Sequence, residues 1–235
     1  MTASIVAQSA KSLRFELRSL SSRHGLLHAP LRGFNRWRHP EGQVYVDDQT
    51  DLLIDGYQGS ANTFAVRCFR SAQRQPVRIA HHCHAPEQVR AAVRRHLPIM
   101  ITLREPIGAV RSTIRRWPAV DPRTALRGYV RYYEAVESLA DAVFIADFVE
   151  VTADFGVVID AFNERFGTGF DRFEHTPQSA RIGYDPPPHR VDAIVRERDE
   201  AGRRLEASAG GLLLSRAVAV HGRMLDSSHS GGRAR

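Results

Sequence analysis

Four short strand-like runs, each followed by a helix-like segment, limit what this chain can fold into. The runs cover 52–54, 76–81, 97–103 and 143–146. They are short, bounded by Gly, Pro or charged residues, and read as buried strands. Between them lie segments with helical patterning or helix-start signals: 64–70, 86–95, 106–116, and a long one opened by Asp121–Pro122 and marked by Leu126, Tyr129, Val130, Tyr133 and Val136. Pro at the first helical position and Asp at the cap supply the start signals. Further helices are expected over 152–166, closed by Gly167, and over 189–207 and 211–225. Strands alternating with helices predict an α/β domain, a central parallel sheet flanked by helices in three layers, with right-handed crossovers. Buried parallel strands read as continuous apolar runs, as 97–103 does.

The first run leads into Asp55–Gly56–Tyr57–Gln58–Gly59–Ser60–Ala61–Asn62–Thr63–Phe64. Gly56 and Gly59 permit a tight turn. Ser60, Asn62 and Thr63 are short polar residues suited to a helix cap and to contact with an anion. A strand, a glycine turn and a helix start present unpaired N–H groups and the positive end of the helix dipole to one point in space. A plain strand–turn–helix connection has the same local pattern. A nucleoside-triphosphatase loop ends in Gly-Lys-Ser/Thr, and its lysine meets the outer phosphates. This loop has none, and Lys11 is the single lysine of the chain, so 32 of its 33 basic residues are arginines. ATP hydrolysis or kinase chemistry at this loop is disfavoured.

The 235 residues suffice for one α/β core. The net charge of +7 is lopsided: residues 1–40 carry seven Lys/Arg against Glu16 alone, which is +6 of the total. The rest is nearly balanced, so no nucleic-acid footprint spans the domain. The basic segment suits an acidic partner or a peripheral membrane contact, or is simply a solvated arm. Leu13, Leu17 and Leu20 fall at helical spacing there, with Phe15 off the stripe. Residues 21–42 read as loop and 44–46 as a small edge strand. The expected organisation is a basic segment over 1–50 packed on or beside the core, the α/β domain over 51–225, and a Ser/Gly/Arg-rich disordered tail over 226–235. No run approaches the roughly 18 apolar residues of a membrane span. No secretory signal is evident, and two cysteines, Cys68 and Cys83, fit a reducing, cytoplasmic compartment.

Two further stretches carry chemistry. Arg104 stands at the end of the third strand, where ligands of open α/β sheets bind. Ser112 follows about two helical turns later. A guanidinium fork and a hydroxyl suit one phosphate gripped from two sides; a surface ion pair and a solvent-facing serine fit the same letters. At the end of the second strand stand His81–His82–Cys83–His84. In an extended segment His82 and His84 share one side and His81 takes the other. No second cluster completes a tetrahedral zinc site, so no metal is expected. A histidine facing the crevice suits a general base near neutral pH.

Taken together, these stretches resemble the sulfotransferases that use 3′-phosphoadenosine 5′-phosphosulfate. The family's Tyr-Pro-Lys/Arg-Ser-Gly-Thr/Asn-Thr-Trp/Phe loop is similar to Tyr57–Gln58–Gly59–Ser60–Ala61–Asn62–Thr63–Phe64. Its Arg-x-Pro-x-x-x-x-x-Ser pattern is similar to Arg104, Pro106 and Ser112, and its Lys-Thr-His-Leu-Pro-like segment aligns with His82. Residues 143–150 resemble its later strand with a Tyr-Glu-Asp-Leu-like end. The resemblance covers about 51–170. It implies a P-loop-like fold and sulfuryl transfer to a hydroxyl or amine of a small-molecule, lipid or carbohydrate acceptor. It implies a 5′-phosphosulfate site of Gly59, Ser60, Ala61, Asn62 and Thr63, a 3′-phosphate site of Arg104 and Ser112, His82 as base, and no metal. Gly59 stands where the family places a cation, which leaves Arg67 or another arginine to replace it, or else a binding module that transfers nothing. The family's C-terminal Arg-Lys-Gly loop has no clear match; Arg181 or Arg190 is the expected substitute.

Overall fold

The computed structural model describes residues 2–22, 43–208 and 211–230. Four strands, β1 (Leu52–Gly56), β2 (Ile79–His81), β3 (Ile99–Leu103) and β4 (Phe144–Asp147), form a parallel sheet in the order β2-β1-β3-β4. Leu53 pairs with Ala80 on one side and Ile99 on the other, and Ile101 pairs with Ile145. Because side chains alternate along a strand, Leu53, Ala80, Ile99, Ile101 and Ile145 face one layer. Leu52, Ile54, Ile79, Met100 and Ala146 face the other. Helices cover both faces, as the apolar runs require.

The helices are α1 (Thr2–Ser21), α2 (Asn62–Ala72), α3 (Pro86–Val93), α4 (Pro106–Arg116), α5 (Pro122–Glu137), α6 (Phe148–Ala153), α7 (Phe155–Phe166), α8 (Ala180–Gly183), α9 (Val191–Ser208) and α10 (Gly211–Ser230). Asp121 caps α5 through the Thr124 N–H, and Gly167 closes α7 in the left-handed region. The helix expected over 152–166 is two. Asp154 adopts an extended backbone and caps α7 through the N–H groups of Gly156 and Val157. Of the tail expected to be disordered over 226–235, residues 226–230 continue the last helix, and 231–235 lie outside the described residues. The edge strand at 44–46 is reduced to one antiparallel bridge, Val44 to His81.

The basic segment packs on the core through α1, which lies against α5. Its apolar stripe is on the wrong side: Leu13, Leu17 and Leu20 are exposed, whereas Phe15 packs against the core. The anchor is polar. Glu16, the one acid of α1, accepts from Arg127 at 3.1 Å and Arg131 at 3.1 Å. Ser12 donates to the Ala119 carbonyl and accepts from the Asp121 N–H. The expected loop lies outside the described residues from 23 to 42. No helix among the described residues is long and apolar enough to cross a membrane.

Candidate functional site

The chain leaves β1 toward β2 on one side, and β3 lies on the other. The reversal of direction therefore falls between β1 and β3, where the loops at the carboxyl ends part to leave a crevice. Those loops carry Gly59 and Arg104.

At Gly56 an added Cβ would lie 2.3 Å from the Thr102 carbonyl oxygen, so the close approach of β1 and β3 demands glycine. Gly59 (φ 83) and Ala61 (φ 68) then turn the chain through the left-handed region. Ala61 occupies the N-cap of α2 and supplies no side-chain acceptor. The Ala65 N–H is the first to bond back, to the Ala61 carbonyl at 2.9 Å. The N–H groups of Asn62, Thr63 and Phe64 remain as open donors.

The side chains of Ser60 and Asn62 are not open donors, contrary to expectation. Tyr133 gives its proton to the Thr102 carbonyl at 2.8 Å, so in the 3.2 Å contact between the two hydroxyls Ser60 donates to Tyr133. Asn62 donates to the Tyr57 carbonyl at 3.0 Å, and its Oδ1 lies 3.2 Å from the Thr102 hydroxyl. Both residues are buried. They fasten the loop from below, leaving Thr63 as its polar side chain at the rim.

Arg104 and Ser112 both come to lie beside Gly59. Arg104 donates to the Gly59 carbonyl at 3.2 Å. A Cβ on Gly59 would lie 2.8 Å from the Ser112 Cβ and 2.6 Å from the Ala109 carbonyl. No side chain fits there, so the family's loop cation cannot be restored at Gly59 without displacing α4. The Arg104 guanidinium stacks 4.0 Å above the Phe148 ring. Its buried Nε has no hydrogen-bond partner among the described residues but pairs with the Glu105 carboxylate at 3.7 Å. Burial, opposed by Glu105 and reinforced by the charges of Arg111 and Arg198, lowers the Arg104 pKa. Arg198, on α9, was missed by sequence reasoning. The expected Arg181 and Arg190 are instead engaged with Asp185 at 3.6 Å and Glu197 at 2.9 Å.

The histidine run does not alternate. β2 ends at His81, and His82 (φ 57) and His84 (φ 48) both adopt left-handed backbone, which removes the period of two. His82 has both ring nitrogens engaged: Nδ1 lies 2.7 Å from His81 Nδ1, and Nε2 lies 3.0 Å from Thr63 Oγ1. The expectation of a free base at His82 is not met. His84 is different. Its Nδ1 is 2.7 Å from the Gly56 carbonyl. A carbonyl only accepts, so Nδ1 carries the proton and Nε2 holds the lone pair. Among the described residues Nε2 has no hydrogen-bond partner. His84 lines a small, partly open cleft together with Phe15, Arg18, Tyr57, Gln58 and Tyr132. One wall of that cleft is α1.

Beneath His84 lies Asp55, wholly buried. Its carboxyl accepts from the His84 N–H at 3.0 Å and the Ala85 N–H at 3.4 Å, holding the left-handed turn in place. Burial pushes its pKa up to about 7. Burial lowers His84 to about 3, so the imidazole is neutral at pH 7. His81 and His82 fall to about 4, again first through burial, with Arg116, Arg67 and Arg70 adding repulsion at His82. Asp55 had a signal in the sequence, an acid directly after an apolar strand and before a glycine. No three His, Cys, Asp or Glu side chains among the described residues converge as a metal would need.

The crevice thus holds open N–H groups, Arg104 and, through Tyr57 and Gln58, a neighbouring cleft with a neutral imidazole. Comparison with protein-family models, curated proteins and solved structures finds no match to this chain.

Proposed function

We propose that the chain is a P-loop-like sulfotransferase that moves the sulfuryl group of 3′-phosphoadenosine 5′-phosphosulfate to a hydroxyl or amine acceptor. The observation that carries this reading is the convergence of Arg104 and Ser112 on Gly59, beside the open N–H groups of α2. Arg104, Ser112 and Arg198 hold the 3′-phosphate, and the N–H groups of Asn62, Thr63 and Phe64 hold the 5′-phosphosulfate. The acceptor enters the cleft lined by His84. Its oxygen or nitrogen attacks sulfur and its proton passes to His84 Nε2. The bond from sulfur to the bridging oxygen breaks, and the charge left on the phosphate falls on the N–H groups of α2. The base is His84 rather than His82, because of these two only His84 has a ring nitrogen without a hydrogen-bond partner among the described residues. Arg67 and Arg116, close enough to His82 to lower its pKa, supply positive charge near the loop in place of the missing cation.

Calorimetry with 3′-phosphoadenosine 5′-phosphate against ADP tests the reading. Arg104→Ala should weaken the bisphosphate by about 1.5–3 kcal/mol, as for a hydrogen bond to a charged group, and leave ADP nearly unchanged. Equal losses for both nucleotides would sink the assignment. A second reading, a nucleotide-binding module without turnover, is favoured by the packing that forbids a side chain at Gly59. Tight bisphosphate binding with no loss of phosphosulfate across a broad acceptor screen would select it.

A further inference from the structure

His82 has no place as a base, yet it is held in a strained left-handed backbone with both nitrogens in contact. Four groups form a line: Arg70 Nη2 to His81 Nε2 at 3.3 Å, His81 Nδ1 to His82 Nδ1 at 2.7 Å, and His82 Nε2 to Thr63 Oγ1 at 3.0 Å. One chemical fact orders every proton along it. A guanidinium only donates, so His81 Nε2 is an acceptor. Neutral His81 must then carry its proton on Nδ1 and donate it to His82 Nδ1. His82 in turn carries its proton on Nε2 and donates it to Thr63. The Thr63 oxygen accepts, so its own proton points elsewhere. Among the described residues no acceptor takes that proton, not even the carbonyl one turn back.

We infer that His81 and His82 form a relay that sets Thr63 as a fixed hydroxyl donor to the anion held at the start of α2. This rests on the proposed function for the identity of the anion, though not for the order of protons. His82 is a positioning residue: it acts on the ligand through Thr63. Without the relay the Thr63 hydroxyl would be free to turn toward the Gly59 carbonyl, as helix threonines do. With it, one more donor is prepaid in direction beside the three N–H groups, with no reorganisation on binding. The low pKa values of both rings agree with neutral imidazoles at pH 7.

Long-range ¹H–¹⁵N spectra of the full chain with ¹⁵N-labelled histidine read the tautomers directly. At pH 7, His81 should be protonated at Nδ1 and His82 at Nε2. The opposite tautomer at either ring overturns the relay, and this needs no variant to fold. Calorimetry with inorganic phosphate and with 3′-phosphoadenosine 5′-phosphate reads the consequence. Thr63→Ser should stay within about twofold of wild type, whereas Thr63→Val should lose about tenfold, the scale of one lost hydrogen bond to an anion. His82→Asn, whose asparagine tolerates left-handed backbone, should lose about as much, and the double variant should lose no more than either single one. Additive losses overturn the relay. Wrong tautomers in a chain that still prefers the bisphosphate to ADP would sink the relay alone. The expected tautomers and phosphate response, without that preference, would sink the sulfotransferase reading alone.

Discussion

The two faces of the sheet bury aromatic rings in similar ways and use them differently. The face under α2 and α7 is built on phenylalanine. Phe69, Phe155 and Phe162 are fully buried and packed with Phe144, Phe166 and Phe170, at ring distances such as 4.9 Å for Phe162 to Phe166. That cluster contains no tyrosine. The face under α5 is built on tyrosine: Tyr57, Tyr129, Tyr132 and Tyr133, with Tyr129 and Tyr133 at 4.7 Å. Three of the four tyrosine hydroxyls donate to a carbonyl at the carboxyl end of the sheet or in α5. Tyr57 reaches the Ala125 carbonyl at 2.7 Å, Tyr129 the Arg104 carbonyl at 2.7 Å, and Tyr133 the Thr102 carbonyl at 2.8 Å. Burial raises all four tyrosine pKa values, so the phenols stay protonated and able to donate. The phenylalanine rings pack without hydrogen bonds of their own, whereas the tyrosine rings add direction through their hydroxyls, and the floor of the glycine loop rests on one of them.

The strongest test of this contrast is Phe162→Ala. It should cost about 3–5 kcal/mol of stability, as for other buried Phe→Ala changes, yet leave phosphate affinity of the folded protein unchanged. Chemical denaturation and calorimetry on the same sample check both halves, and a matching loss of affinity would break the contrast. Tyr133→Phe keeps the ring and removes a hydroxyl that serves Thr102, Ser60 and the Tyr57 N–H. Stability should fall by about 1–3 kcal/mol through unpaired buried groups, and here anion affinity should fall too, because the loop loses its floor.

Asp55 and His84 lie on the tyrosine side, whereas His81 and His82 reach Arg70 and Thr63 of α2 on the phenylalanine side, so the pH response draws on both faces. His81, His82 and His84 have folded pKa values of about 4, 4 and 3, against 6.5 unperturbed. Below 6.5 the unfolded chain takes up protons that the folded state refuses, so their effect is a loss of stability from about pH 6.5 down to about 4. Asp55 opposes this. Its pKa rises from 3.8 to about 7, so its protonated form favours the folded state at low pH and that contribution disappears as pH rises through about 7. Asp55→Asn should therefore steepen the fall between pH 6.5 and 4 by up to one proton, about 1.4 kcal/mol per pH unit. Phe162→Leu should keep the wild-type slope in the same denaturation series. The smallest effect is expected of Tyr132→Phe, whose hydroxyl stands 3.5 Å from Asp55. So long a contact should contribute less than about 0.5 kcal/mol, and a larger loss would mark Tyr132 as a true partner of the carboxyl.

The sequence by itself determined the alternation of strands and helices, the parallel sheet, and the ends marked by Asp121, Pro106 and Gly167. Those features are local: a side-chain period of two or 3.6, a cap or a fixed φ acts within one turn of chain. The sequence also placed Arg104 and Ser112 around the glycine loop, because both stand at fixed offsets from a strand end. Tertiary structure decided the rest. The leucine stripe of α1 has the right period, but Glu16 meeting Arg127 and Arg131 chose the opposite face for docking. Ser60 and Asn62 look like anion ligands until Tyr133 and Thr102 claim them from below. The three histidines are equivalent as letters, and two left-handed residues that no period announces separate them. His84 falls on the Gly56 carbonyl and His82 on Thr63. Which nitrogen keeps a lone pair depends on a partner 28 residues away in one case and 19 in the other, and hydrogen bonds of that range exist only once the sheet has brought the strand ends together.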